Sequence, residues 1–122
     1  MNTPRRPVQR AEVMELHRLS ELGVLAAKRY LESMTEVQAQ HLMQYLRAGK
    51  PLHLLVDPIE FDPEIEPKLR EAERLAGQEL RDEPGEMGFC HLHWRTVQRI
   101  LRERFNIEWR SPAEMNPNCC FD

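Results

Sequence analysis

Apolar residues recur at helical spacing through most of this chain. Between Gln9 and Met34 they fall in one broad arc at about 100° per residue, and charged residues collect opposite them. This pattern predicts one long amphipathic helix with a single buried face. Met14, Leu22 and Leu25 lie outside the arc and indicate a second contact surface of the kind that self-association buries. The arc contains Val13, Leu16, Leu19, Ser20, Gly23, Val24, Ala27, Tyr30, Leu31 and Met34.

A second helix is predicted to begin immediately after the first. Thr35 is followed three positions later by Gln38, a capping box in which each side chain satisfies a backbone N–H of the other residue. Apolar residues then continue at helical spacing over Glu36–Ala48. Gly49 follows in the position where a left-handed residue ends a helix, so the second helix is expected to stop there.

Residues 50–67 carry a different pattern. Four prolines forbid a continuous helix, yet large apolar residues recur between them. A disordered linker would lack so many large side chains, so the segment is predicted to be an ordered, extended connection laid over the helices. Leu52–Val56 is a candidate strand, for which Ile107–Trp109 is the one weak partner in the sequence.

The remaining pattern predicts two longer helices and a final single turn. One helix starts with Pro67 as its first residue and ends near Asp82, and the other covers about Gly88 to Phe105, with Asn106 ending it. Ser111 begins the last turn. The whole pattern predicts an all-α fold: about four helices in a small bundle, an ordered loop over residues 50–67 and a one-turn C-terminal helix. The expected organisation is a single domain over residues 1–122, with residues 1–8 flexible.

Composition narrows the class of protein. The chain has 122 residues, of which 41% are hydrophobic and 30% charged, as in ordinary globular domains. No apolar run is long enough to span a bilayer, and the first ten residues lack the apolar core of an export signal. Three cysteines without framework spacing indicate reduced thiols. We therefore expect a cytoplasmic protein that does not contact membranes.

Charge is distributed unevenly along the sequence. Residues 57–86 carry a net charge of −7, whereas residues 1–56 carry +3 and residues 87–122 carry +1. Within the acidic block, Ile59 and Phe61 alternate with the carboxylates of Asp57 and Glu60. An ordered, exposed loop of this composition is a candidate edge for recognising a partner protein, although most acidic runs are only solvated surface.

The densest group of chemically versatile side chains surrounds Cys90. Cys90 and His93 are three residues apart on a predicted helix, so both side chains can face one ion, and Cys119 or Cys120 would complete a tetrahedral zinc site. The spacing matches no established paired-ligand pattern, and buried cysteine or histidine is the simpler interpretation. Zinc binding is retained as an alternative function.

Three arginines form a basic stripe on the same helix. Arg95, Arg99 and Arg102 are spaced so that they share one face, which is a geometry that binds phosphates. The acidic balance of the chain argues against nucleic acid and favours pairing with carboxylates within the molecule. Nucleic-acid binding is therefore a second, disfavoured alternative.

The sequence contains no recognisable catalytic group of residues. A Cys90–His93 nucleophile would need an orienting third group and an oxyanion site, and no pattern supplies them. The glycines are isolated and form no phosphate-binding loop. The leading hypothesis is a small non-enzymatic protein without a cofactor, which acts by contact with a partner protein or with a second copy of itself.

Overall fold

A computed structural model describes residues 6–83, 85, 88–119 and 121. These residues form six α-helices and one short 3-10 helix and contain no strand, which confirms the all-α prediction. Contacts divide the chain into two compact units, residues 1–53 and 54–122, and the single-domain expectation stays a prediction. None of the helices in the described ranges is long and apolar enough to cross a membrane.

The helices are short and follow one another closely. The N-terminal unit contains α1 (Arg10–Leu19), α2 (Val24–Glu32) and α3 (Glu36–Arg47). The C-terminal unit contains the 3-10 helix (Pro58–Phe61), α4 (Glu66–Glu79), α5 (Phe89–Phe105) and α6 (Pro112–Met115).

The prediction of one long helix over Gln9–Met34 is wrong, because the chain bends between α1 and α2. Ser20 has an extended backbone, and its hydroxyl donates to the Leu16 carbonyl (2.6 Å) and accepts the Leu22 amide (3.2 Å). The His17 ring donates through Nδ1 to the Leu22 carbonyl at 2.7 Å. These bonds satisfy the backbone groups that a continuous helix would have paired, so the bend competes with the helix. Val24, predicted to be buried, is consequently 46% exposed.

The second predicted helix is confirmed at both ends. The Thr35 hydroxyl accepts the Gln38 amide at 3.1 Å, and the Gln38 side chain accepts the Thr35 amide at 3.0 Å. Gly49 has φ +84°, a conformation that residues with a Cβ rarely adopt. Its amide bonds to the Leu46 carbonyl and the next amide bonds to the Tyr45 carbonyl, as in a Schellman motif.

The N-terminal unit buries an aliphatic core and leaves several apolar side chains at its surface. Leu16, Leu31 and Leu42 are inaccessible to solvent, and each contributes roughly 2 kcal/mol by its burial. Met14 and Leu25, assigned to a second contact surface, are 38% and 58% exposed. Leu22 is half-buried, and the dimer that this surface suggested stays a prediction.

The N-terminal segment is held partly in place. Residues 1–5 of the segment expected to be flexible lie outside the described residues. The guanidinium group of Arg6 donates to the carbonyls of Met34 (3.1 Å) and Leu31 (3.2 Å), both at the end of α2. The Arg6 side chain therefore fastens this segment to backbone carbonyls at and just after the C-terminal end of α2.

The proline-marked connection is ordered, but it is not extended throughout. Pro58 opens the 3-10 helix, and the Asp57 carboxylate caps it by accepting the Ile59 amide at 3.2 Å. The candidate strand Leu52–Val56 is wrong, since the described residues contain no strand. The Leu55 amide and carbonyl bond instead to the Asn116 side chain, at 3.0 and 2.7 Å.

The core of the C-terminal unit lies between α4 and α5. Small residues of α4, Ala72 and Ala76, are fully buried against Val97 and Leu101 of α5. Trp109 closes this core and is 7% exposed. Asn106 adopts the left-handed conformation predicted for it, with φ 55°, and ends α5.

Candidate functional site

Two carboxylates of the connection bind the segment that follows α5. Asp57 is only 4% exposed and accepts the Arg110 amide at 2.8 Å and the Arg110 guanidinium at 3.2 Å. Glu60 accepts the indole N–H of Trp109 at 3.0 Å. Adjacent residues of the C-terminal segment are therefore held by two acids of the connection, which fixes the loop against the core.

Glu60 has an unusual environment for a carboxylate. Burial raises its pKa from 4.5 to about 7, and the negative charges of Glu73 and Asp57 act in the same direction. The hydrogen bond from Trp109 opposes this shift because it stabilises the charged form. Among the described residues the acid faces no cationic partner in an ion pair, so it titrates near neutral pH.

The residues predicted to form a partner-recognition edge are turned inward. Ile59 packs partly buried against the core of α4 and α5, and Phe61 is half-buried. The expectation of an exposed loop is wrong for Asp57, because the Arg110 and Ile59 amides use both of its oxygens. A partner role for Ile59, Phe61, Asp57 and Glu60 stays a prediction that the structure does not favour.

An aromatic surface lies in the first half of α5. His91 and Trp94 are one turn apart, with ring centroids at 5.6 Å and an edge-to-face angle of 83°. The Phe121 ring stands edge-on to Trp94 at 5.2 Å, and the Phe121 carbonyl lies 3.1 Å from His91 Nε2. A carbonyl only accepts, so Nε2 carries the proton in this bond. We call His91 and Trp94 the aromatic pair.

The aromatic pair forms one wall of an open cleft between α5 and α6. The cleft has a volume of about 500 Å³. Its floor is rigid: Gln98 donates to the Trp109 carbonyl at 3.0 Å and to the carboxylate of Glu114, which also caps α6 by accepting the Ser111 amide at 3.1 Å. The lining residues are His91, Trp94, Arg95, Gln98, Ser111, Ala113 and Glu114.

The predicted basic stripe is divided between two environments. Arg99 binds Glu79 of α4 at 2.6 Å and Glu103 at 3.0 Å, and Arg102 lies 3.4 Å from Glu108. Arg95 is exposed at the cleft and makes no ion pair within the part of the chain that the structure describes. The expectation of pairing with carboxylates within the molecule thus holds for Arg99 and Arg102. Their partners lie outside the connection of residues 50–67.

The predicted metal ligands are only partly placed by the structure. Cys90 and His93 are half-buried on α5, Cys119 is exposed, and Cys120 lies outside the described residues. Across residues 6–83, 85, 88–119 and 121, no three potential ligands gather around a common point. The zinc hypothesis stays a prediction that depends on Cys120.

Sequence reasoning missed three residues of the candidate site: Gln98 and Glu114, which line the cleft, and Phe121, which contacts the aromatic pair. Gln98 and Glu114 come together through helix capping, and only the Ser111–Glu114 spacing signalled the second of them. Phe121 has no local signal, because its contact with the aromatic pair spans about thirty residues.

Comparisons of the chain with protein-family models, curated proteins and solved structures found no match.

Proposed function

We propose that residues 54–122 form a non-enzymatic recognition module that binds an extended segment of a partner protein in the cleft between α5 and α6. The observation that carries this proposal is the contact of Phe121 with the aromatic pair. An aromatic side chain and its own backbone carbonyl are held together there by Trp94 and His91. That combination of ring packing and a carbonyl bond is what an extended peptide offers to a binding surface.

The composition of the cleft supports this function. Aromatic residues and arginine are enriched where proteins bind one another, and Trp94 and Arg95 lie side by side at the cleft wall. Arg95 makes no ion pair with the residues that the structure describes, which favours a partner segment that places an acidic side chain beside its aromatic residue. The hydrogen bonds of Gln98 fix the floor of the cleft, so little side-chain entropy is lost there on binding.

The test is selection from a displayed library of random peptides with one fixed phenylalanine. Panning uses the native chain and the Phe121→Ala chain, because Phe121 lies on the same surface. We expect peptides with an acidic residue near the phenylalanine to be enriched, and the enrichment to be lost with Trp94→Ala and reduced with Arg95→Ala. Arg102→Ala is the matched control on the same helix, since Arg102 lies outside the cleft lining.

Two results would overturn this function. One is the absence of enriched peptides for either chain. The other is enrichment that survives both Trp94→Ala and Arg95→Ala, which would place binding elsewhere. Circular dichroism of each variant establishes that the helices are retained, so a lost signal is not a lost fold.

A further inference from the structure

The C-terminal tail reaches the recognition surface with few contacts of its own. Asn118 and Cys119 are exposed, whereas Phe121 is half-buried against the aromatic pair. The last firm anchor before them is Asn116, whose side chain bonds to the Leu55 backbone on both sides, at 2.7 and 3.0 Å. The tail is thus tethered beside the cleft, and of its described residues Phe121 is the one that contacts the aromatic pair.

We infer that Phe121 is an internal occupant of the aromatic pair at the cleft wall, so that it competes with the aromatic residue of an incoming partner segment. This inference rests on the proposed function. The chemistry is symmetric: the Phe121 ring packs edge-to-face with Trp94, and the Phe121 carbonyl accepts the His91 Nε2 proton that a partner carbonyl would need. Both groups must leave together before the partner binds.

The strength of the Phe121 contact suits a displaceable occupant. The contact consists of one edge-to-face ring pair and one hydrogen bond, both at half-buried side chains, where each interaction stabilises only weakly. A short tether supplies Phe121 at an effective concentration in roughly the millimolar range. A weak free peptide therefore competes at a disadvantage, whereas a partner with additional contacts along the cleft displaces the tail.

The experiment uses a synthetic peptide, Met-Asn-Pro-Asn-Ser-Ser-Phe-Asp, which copies residues 115–122 with serine in place of both cysteines. Its binding is followed by NMR through the indole N–H signal of Trp94, with the buried Trp109 as internal reference. We expect the Phe121→Ala chain to bind this probe about fivefold more tightly than the native chain does. Asn118→Ala, an exposed change in the same tail, should leave the affinity at the native value.

A second peptide in which alanine replaces the phenylalanine should bind no form of the chain. Equal affinity of the native and Phe121→Ala chains for the first probe would overturn the inference. So would a probe that fails to bind while library peptides bind through Trp94, because the tail would then not resemble a ligand. If neither the probe nor any library peptide binds, the proposed function fails and the inference fails with it.

Discussion

Glu60 makes the stability of the C-terminal unit depend on pH. Its pKa is raised from 4.5 to about 7 by burial, whereas the same carboxyl in the unfolded chain ionises near 4.5. The folded unit therefore holds a proton that the unfolded chain has released. This contribution to stability is fully present below pH 4.5 and is lost as the pH rises through about 7.

The size of the effect follows from the shift. Each unit of pKa difference corresponds to about 1.4 kcal/mol, so the shift of Glu60 makes the unit about 3 kcal/mol less stable at pH 8 than at pH 4.5. Glu60→Gln keeps the shape of the side chain and an oxygen that accepts the Trp109 indole, but it cannot ionise. We expect the variant to match the native chain at pH 4.5 and to exceed it by about 3 kcal/mol at pH 8.

Tryptophan fluorescence during urea unfolding measures this difference. The chain has two tryptophans, Trp94 and Trp109, and both lie in the C-terminal unit. Glu108→Gln is the control, because it makes the same chemical change at a side chain that is 81% exposed. A Glu60→Gln chain less stable than the native chain by one amount at every pH would refute the reasoning. The carboxylate would then be charged throughout, and its bond to Trp109 would dominate.

Three further predictions concern the helices. Ser111→Ala removes the cap of α6 and should lower the free energy of unfolding by about 1 kcal/mol, measured by tryptophan fluorescence; an unchanged value would mean that the Glu114 half of the capping box suffices. Gly77→Ala lies within α4 with open space around the new methyl group and should stabilise the C-terminal unit by roughly 0.8 kcal/mol. Gly49 has φ +84°, so Gly49→Ala should destabilise the N-terminal unit by about 1 kcal/mol, measured by circular dichroism during unfolding. If both glycine substitutions changed stability in the same direction, the different backbone conformations given to Gly77 and Gly49 would be contradicted.

Helix ends were predictable because their signals are local. Thr35 with Gln38, and Ser111 with Glu114, lie within one turn of each other, so the sequence spacing is already the spatial spacing. The bend between α1 and α2 was not predictable from periodicity. Ser20 and Gly23 fall on the apolar arc of the predicted helix. The apolar residues before and after the bend keep helical spacing in the sequence, so the pattern shows no interruption there.

The candidate site was harder to predict, because the exposure of a charged side chain depends on partners that are distant in the sequence. Asp57 and Glu60 look like solvated acids in the sequence, and only the approach of Trp109 and Arg110 from about fifty residues away turns them inward. Arg99 likewise looks available until α4 brings Glu79 against it. A local pattern fixes which side chains share a face, but not which face finds a partner.

These internal contacts determine which surface remains open to a partner protein. In the sequence, the carboxylates of residues 50–67 are the most prominent candidate surface for a partner. In the structure, Asp57 and Glu60 instead bind the C-terminal segment. Of the three arginines in the basic stripe, Arg99 and Arg102 pair with carboxylates, and only Arg95 lies beside the aromatic pair and the open cleft. An arginine that is already paired within the fold gains little from a further carboxylate. Arg95 makes no ion pair among the described residues and lies beside the aromatic pair, so it is the stronger candidate for contact with a partner.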